Sequence, residues 1–159
     1  MLFPDFMRGL QEMIRITRPG GKVFLVTFGP VEKVEFLGLF VQAIKAVVPD
    51  FNGISSDAPP LPFQVSGEGV LQQKMEAAGL HKVQVMPVVH KLSFNTGTEM
   101  WNWVTSSNPI ALQMISGLND DQKNQVVQSL DAHIRNRSNE EGSAVLQVAV
   151  NVGIGEKIK

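Results

Sequence analysis

The sequence contains no cysteine among its 159 residues. Disulfide bonds, thiolate metal ligands and cysteine nucleophiles are therefore excluded, and we expect a cytoplasmic protein. An excess of either charge is also missing, because 14 Lys and Arg residues stand against 15 Asp and Glu residues, a formal net charge of -1. Without a bulk positive field, we expect no nucleic acid and no membrane surface among its partners.

Long hydrophobic runs are absent as well. Runs such as Val23 to Val26 are far shorter than the ~20 residues that cross a bilayer. Asp5 and Glu12 interrupt the N-terminal segment, and no basic region precedes an apolar core, so we predict no signal peptide. No two of the 3 histidines have the helical spacing of metal ligands, so no metal site is predicted.

The composition is that of a globular domain, with 43% hydrophobic and 18% charged residues. A chain of this length suits one domain. We expect residues 1–159 to form that domain, with residues 95–143 as a helical insertion before the last strand.

The first third of the chain alternates between helix and strand patterns. Asp5 can cap a helix that Pro19-Gly20-Gly21 ends. Lys22 to Phe28 is almost continuously apolar, which is typical of a strand buried on both faces. A second helix is predicted over about Glu32 to Val48, and residues 49–65 are interpreted as a proline-rich loop or lid.

The remaining residues predict helices between two further strands. Ser66 can cap a third helix that ends at Gly79, and a strand follows over about Lys82 to Phe94, where Pro87 indicates a bulge or an edge position. Thr96 and Glu99 form a predicted capping box, and Asn119 and Gln122 form a weaker one. A helix is predicted from about Asp120 to Arg135, and the last strand from about Ala144 to Val152. Gly153 to Lys157 are interpreted as a polar tail.

Two stretches of the sequence resemble one protein family. In the first, Phe3-Pro4-Asp5 is followed by Leu10 to Arg15 and then by Arg18-Pro-Gly-Gly21. In the second, Leu71 to Leu80, which contains Ala-Ala-Gly, is followed by His81-Lys-Val-Gln-Val85. In this order they resemble the surroundings of the fifth and sixth strands of class I S-adenosylmethionine (SAM) methyltransferases. The resemblance implies an α/β fold with a partial Rossmann-like sheet of strands equivalent to five, six and seven. It also implies that the last strand lies antiparallel between the other two.

The resemblance starts at the end of the family's fourth strand. The family binds its donor mainly with a glycine-rich turn after strand one and an acidic residue at the end of strand two, by logic similar to that of dinucleotide sites. Neither feature has a counterpart here. The resemblance therefore implies no cofactor in this chain alone, SAM binding only if an N-terminal half completes the site, and no methyl transfer by the chain alone.

The candidate site residues follow from position and residue type, and none is assigned as catalytic. Phe3 and Pro4 match the segment that in the family passes beside the donor. The candidate substrate contacts are Phe28, at the end of the first strand, His90, before the insertion, and Trp101 and Trp103. The two tryptophans face different sides of a helix, so we expect at least one to belong to the core.

Three functions remain open at this point. The first is a C-terminal methyltransferase portion that binds a small-molecule acceptor. The second is a stand-alone dimeric module for small-ligand binding or interaction, since an open edge on the Lys22 to Phe28 strand favours a homodimer. The third is an enzyme of another class, for which the sequence offers no nucleophile elbow, P-loop or metal motif.

Overall fold

A computed structural model of the chain describes residues 3–53, 60–140 and 142–158. The helices are α1 (Phe6–Ile16), α2 (Glu35–Val47), α3 (Val70–Ala77), α4 (Gly97–Ser107), α5 (Pro109–Ile115) and α6 (Asp120–Arg137). The strands are β1 (Lys22–Phe28), β2 (His81–Phe94) and β3 (Ala144–Glu156), and short 3-10 turns cover Val31–Lys33 and Leu61–Phe63. This order of helices and strands confirms the predicted α/β class.

The chain divides into two compact units. The sheet unit comprises Met1–Lys33, Ser56–His90 and Ala149–Lys159, and the helical unit comprises Val34–Ser55 and Lys91–Val148. The single domain with an insertion over residues 95–143 stays a prediction.

The strands form one sheet in the order β1-β3-β2. β3 pairs antiparallel with β1 in an unbroken register from Lys22 opposite Glu156 to Phe28 opposite Val150. The last strand thus lies between the other two, as the resemblance implied. β2 is at the edge of this sheet, a position where proline is tolerated, as the sequence indicated for Pro87.

One face of the sheet unit carries its core. Phe6 and Leu10 of α1 and Leu71 and Met75 of α3 are buried together with Val23, Leu25, Val65 and Leu80. Glycines of β3 allow α3 to come close, because a Cβ on Gly153 would lie 2.7 Å from the Met75 sulfur. The apolar stripes of two short helices therefore cover one side of β1 and β3.

The prediction that Lys22 to Phe28 is buried on both faces is wrong. Burial alternates along β1, with Val23, Leu25 and Thr27 inside and Phe24 and Val26 exposed. Described helices cover only the face shared with Leu10 and Met75. A continuous apolar sequence predicts two covered faces, but it does not supply the second layer.

Two further boundaries differ from expectation. Gly153 to Glu156 belong to β3 rather than to a polar tail, because they pair with Lys22 to Leu25. The described end of the predicted loop is also structured: Pro62, Phe63 and Val65 are buried in and after a 3-10 turn. Residues 54–59 of that predicted loop lie outside the described part of the chain.

Local capping signals have mixed outcomes. Asp5 caps α1 by accepting the Arg8 N–H at 3.0 Å, and Gly79 ends α3 with a φ of 95°, both as predicted. Ser66 does not cap α3, because the helix starts at Val70 after Gly69, and the Ser66 hydroxyl donates to the Phe63 carbonyl at 2.8 Å. Asn119 and Gln122, predicted as the weaker capping box, form a complete one. The Asn119 side chain accepts the Gln122 N–H at 2.9 Å, and the Gln122 side chain accepts the Asn119 N–H at 3.0 Å.

The helical unit packs α6 against α2 and α4. α6 contributes Val126, Leu130 and Ile134 to its buried side chains, at the spacing of one helix face. α2 starts at Glu35, three residues later than predicted, after a 3-10 turn. The Glu35 carboxylate accepts the Gln147 N–H of β3 and pairs with Arg137 of α6 at 3.4 Å.

Candidate functional site

A surface depression of about 520 Å³ lies beside α1 in the sheet unit. It is lined by Phe3, Pro4, Asp5, Arg8, Gly9, Glu12, Met13 and Ile16. The Phe3 ring occupies the space that a side chain at position 9 would need, so Gly9 allows the ring to lie on the helix. The structure thus brings the two predicted donor-contacting residues, Phe3 and Pro4, into one depression.

The chemistry of this depression is mainly apolar. Phe3 is 43% exposed and Ile16 is 73% exposed, so both present hydrocarbon surface. The neighbouring carboxylates already have partners: Asp5 caps α1, and Glu12 pairs with Arg15 at 2.8 Å. The depression therefore suits an aromatic or aliphatic group better than a metal ion, which requires free oxygen or nitrogen ligands.

Sequence reasoning missed Ile16 and Met13 as part of this surface. Gly9, Glu12, Met13 and Ile16 are spaced i, i+3, i+4 and i+7, which places them on one helix face. The helical spacing contained a signal for this surface. Ile16 is apolar but falls outside the stripe of Phe6 and Leu10 that packs in the core.

The carboxyl end of β1 holds Phe28 in a different place from the α1 depression. Its ring stacks on Phe63 with centroids 5.2 Å apart. Next to it, Thr27 is buried, and its hydroxyl has no hydrogen-bond partner among the described residues. Burying a hydroxyl without a hydrogen-bond partner costs free energy. The carboxyl end of β1 therefore holds a polar group that is enclosed by the protein.

His90 lies exposed on β2. In the described ranges its ring has neither a hydrogen bond nor an ion pair. A general base works best when a partner orients it and substrate lies within hydrogen-bond reach. The geometry therefore supports no catalytic role for His90, and its substrate contact stays a prediction.

The two tryptophans lie on α4 in the helical unit and have different partners. Trp103 meets Phe36 and Phe94 edge-on, with centroids 5.2 and 5.6 Å apart. Trp101 contacts Phe40 at 5.6 Å. Trp103 is 38% exposed while its partner rings are buried, so it forms the open side of an aromatic cluster, defined here as Phe36, Phe94 and Trp103.

A smaller pocket of about 210 Å³ lies between the ends of the strands, lined by residues that include Lys22, Lys82 and Glu156. Lys82 and Glu156 neutralise each other at 3.1 Å. The volume is below the 300–1,000 Å³ typical of ligand sites. In residues 3–53, 60–140 and 142–158, no group of three or more His, Asp or Glu side chains could hold a metal ion.

Sequence comparison finds methyltransferases among the relatives of this chain. Demethylmenaquinone methyltransferase of Bacillus cereus (strain B4264) is 30% identical over 95 residues, which cover 53% of this chain and 38% of that protein. The same enzyme of Bacillus cytotoxicus is 27% identical over 95 residues, with the same coverage. The matched part of this chain thus spans 38% of the length of these curated relatives. The chain is methyltransferase-like in sequence, at low identity and over part of its length.

Two solved structures resemble the whole chain weakly. One is a Bacillus halodurans protein described as a candidate methyltransferase, which is 13% identical with a TM-score of 0.44. The match covers 99% of this chain and 60% of the Bacillus halodurans chain. The other is the YcgJ protein of Bacillus subtilis, which is 15% identical with a TM-score of 0.43. The match covers 99% of this chain and 59% of the YcgJ chain. No protein-family model matches the chain.

No helix in the described ranges is long and apolar enough to cross a bilayer.

Proposed function

We propose that this chain supplies the acceptor-binding portion of a SAM-dependent methyltransferase. The observation that carries the proposal is the sequence similarity to demethylmenaquinone methyltransferases over 53% of the chain. The order of the sheet, with an antiparallel strand between β1 and β2, agrees with the strand arrangement that the resemblance implies.

The donor is bound, in this proposal, largely by residues outside the chain. The paired glycines of the C-terminal segment, Gly153 and Gly155, lie buried within β3 against Met75 and Leu80. A turn that cradles a ligand needs glycines at the end of a strand and before a helix, with open space in front of them. Phe3 and Pro4 would then contact the donor only from one side, and the chain alone transfers no methyl group.

The aromatic cluster is the proposed acceptor surface. A planar quinone ring can stack on the exposed part of Trp103, which Phe36 and Phe94 hold edge-on. Methyl transfer is a displacement at the methyl carbon and depends first on orientation of the acceptor. Fixing the plane of the ring is the contribution expected of this cluster. The proposed acceptor class is the demethylmenaquinone named for the relatives.

Tryptophan fluorescence tests this assignment directly, because both tryptophans lie on α4. Titration with a short-chain demethylmenaquinone analogue is expected to give saturable quenching in the micromolar range, about −8 kcal/mol. Trp103→Phe should remove most of the saturable change. Trp101→Phe, whose ring contacts Phe40 instead, should retain it.

Two results would contradict the acceptor assignment. One is quenching that rises linearly without saturation and equals that of free tryptophan. The other is saturable quenching that Trp101→Phe removes and Trp103→Phe preserves.

A second candidate function is a stand-alone small-ligand-binding module. The α1 depression favours it, because its 520 Å³ lies within the range of ligand sites. This function predicts that an apolar ligand binds beside Phe3 and that Phe3→Ala abolishes binding.

A further inference from the structure

One asparagine of the chain is followed directly by glycine, namely Asn52 before Gly53. The pair follows the end of α2, where the Phe51 N–H donates to the Val48 carbonyl at 3.0 Å and the chain turns. Asn52 is exposed and belongs to no helix or strand. Exposed connecting segments with small or polar residues are the parts of a fold that water and reagents reach most readily.

Gly53 presents an unobstructed backbone nitrogen to the Asn52 side chain. Glycine has no Cβ that would hinder the approach of the two groups, and it adopts the observed φ of 73° without strain. In residues 3–53, 60–140 and 142–158, neither the Asn52 side-chain amide nor the Gly53 N–H makes a hydrogen bond. The two groups can therefore meet by rotation of the backbone between them, without first breaking a hydrogen bond.

The other asparagines of the chain lack this combination. The side chains of Asn108, Asn119 and Asn139 are held as hydrogen-bond acceptors in caps or turns. Asn95 is exposed and lies outside the helices and strands, as Asn52 does, but the β-branched Thr96 follows it. Four more lie inside regular elements, where backbone N–H groups are used in hydrogen bonds: Asn102, Asn124, Asn136 and Asn151.

We propose that Asn52 is a deamidation site, at which the chain modifies itself without an enzyme. The Gly53 backbone nitrogen attacks the side-chain carbonyl carbon of Asn52 and closes a succinimide ring. The Cγ–Nδ2 bond breaks, and Nδ2 leaves as ammonia with the proton from the Gly53 nitrogen. Water then opens the ring at either carbonyl and leaves aspartate or isoaspartate at this position. The attack is intramolecular, so it depends on orientation and not on a collision of two molecules.

The product changes the helical unit, to which Asn52 belongs, in two ways. A carboxylate replaces a neutral amide, so the formal net charge of -1 becomes more negative by one unit. In isoaspartate the main chain also runs through the Cβ atom and is longer by one atom. Gly53 lies beside α2, because a Cβ on it would lie 3.5 Å from a methyl group of Val41. The longer main chain therefore shifts the contact of Gly53 with α2.

Peptide mapping by mass spectrometry tests the site in the purified chain. During incubation in mildly alkaline buffer, the peptide that contains Asn52 should gain the mass of one deamidation and separate into two products of equal mass. The rate should rise with pH, because loss of the Gly53 amide proton makes the nitrogen nucleophilic. The peptide that contains Asn95 is the internal control. It should react at least about tenfold more slowly, a difference of ~1.4 kcal/mol in activation free energy.

Two matched variants separate Asn52 from the other asparagines. Asn52→Gln should remove most of the acidic species that ion-exchange chromatography detects after incubation, because the longer side chain closes a larger ring more slowly. Asn95→Gln should form this species at the rate of the unsubstituted chain. Deamidation at Asn52 no faster than at Asn95, or an acidic species that persists undiminished in Asn52→Gln, would overturn the proposal.

Incubation in urea tests whether the folded chain leaves the site open. Because neither reacting group is held by a hydrogen bond, unfolding should change the rate at Asn52 by less than about tenfold. Asn119 is the protected comparator and should react faster in urea, because its side chain loses the bond of 2.9 Å to the Gln122 N–H. A folded chain that slows Asn52 by about tenfold or more would contradict the open geometry of the site.

Discussion

Gly97 lies where α4 packs closely against the backbone of α6. Its N–H donates to the Asp131 carboxylate, and a Cβ at this position would overlap the backbone of Leu130 and Asp131. Backbone cannot move aside as a flexible side chain can. We therefore expect Gly97→Ala to lower the free energy of unfolding by about 1–3 kcal/mol, measured by urea denaturation.

Gly38 provides the control for this substitution in the same unit. It lies exposed in the interior of α2, and a methyl group added there would meet no atom within 4 Å. Gly38→Ala should raise stability by about 0.5–1 kcal/mol through helix propensity. A Gly97→Ala variant as stable as Gly38→Ala would contradict the close packing of α4 on α6.

Residue-scale features were predictable where the physics is local. Asp5 and Gly79 act as the sequence indicated, because a cap depends only on its own helix end. Ser66 failed because the start of α3 depends on Gly69 in the left-handed conformation, with a φ of 73°. Tertiary partners were not predictable: no local pattern pairs Phe28 with Phe63 or Trp103 with Phe36.

At the scale of elements, the capping box of α6 is a compact determinant of stability. Asn119 accepts the Gln122 N–H at 2.9 Å, and its own N–H is bonded in return. Asn119→Ala should cost about 1 kcal/mol in the free energy of unfolding. Asn124→Ala, an exposed position inside the same helix, should be neutral or slightly stabilising.

Thermal unfolding followed by circular dichroism distinguishes these two variants. If Asn124→Ala lowered the free energy of unfolding as much as Asn119→Ala, the capping hydrogen bonds would make no specific contribution to stability.

The strands show where element-level prediction stops. Apolar content placed β1 and β3 correctly, but the exposed face of β1 and the length of β3 depend on residues distant in sequence. Gly153 and Gly155 are strand breakers by propensity, yet they pair with Leu25 and Val23. Gly153 fits because Leu71 and Met75 of α3 pack closely over it, and Gly155 fits because Leu80 packs closely over it.

At the scale of the whole molecule, two surfaces lack a described layer above them. One is the exposed face of β1, which carries Phe24 and Val26. The other is the α1 depression that contains Phe3 and Pro4. The candidate site was predictable only by resemblance for these two residues, because neither has a residue type that by itself indicates a donor contact.

We expect this methyltransferase-like chain not to bind the methyl donor by itself. Isothermal titration of SAM into the purified chain tests it most directly, with a full-length class I SAM methyltransferase as positive control. We expect no saturable heat up to about 1 mM SAM, which corresponds to a binding free energy weaker than about −4 kcal/mol. One-site binding with a micromolar Kd would contradict it.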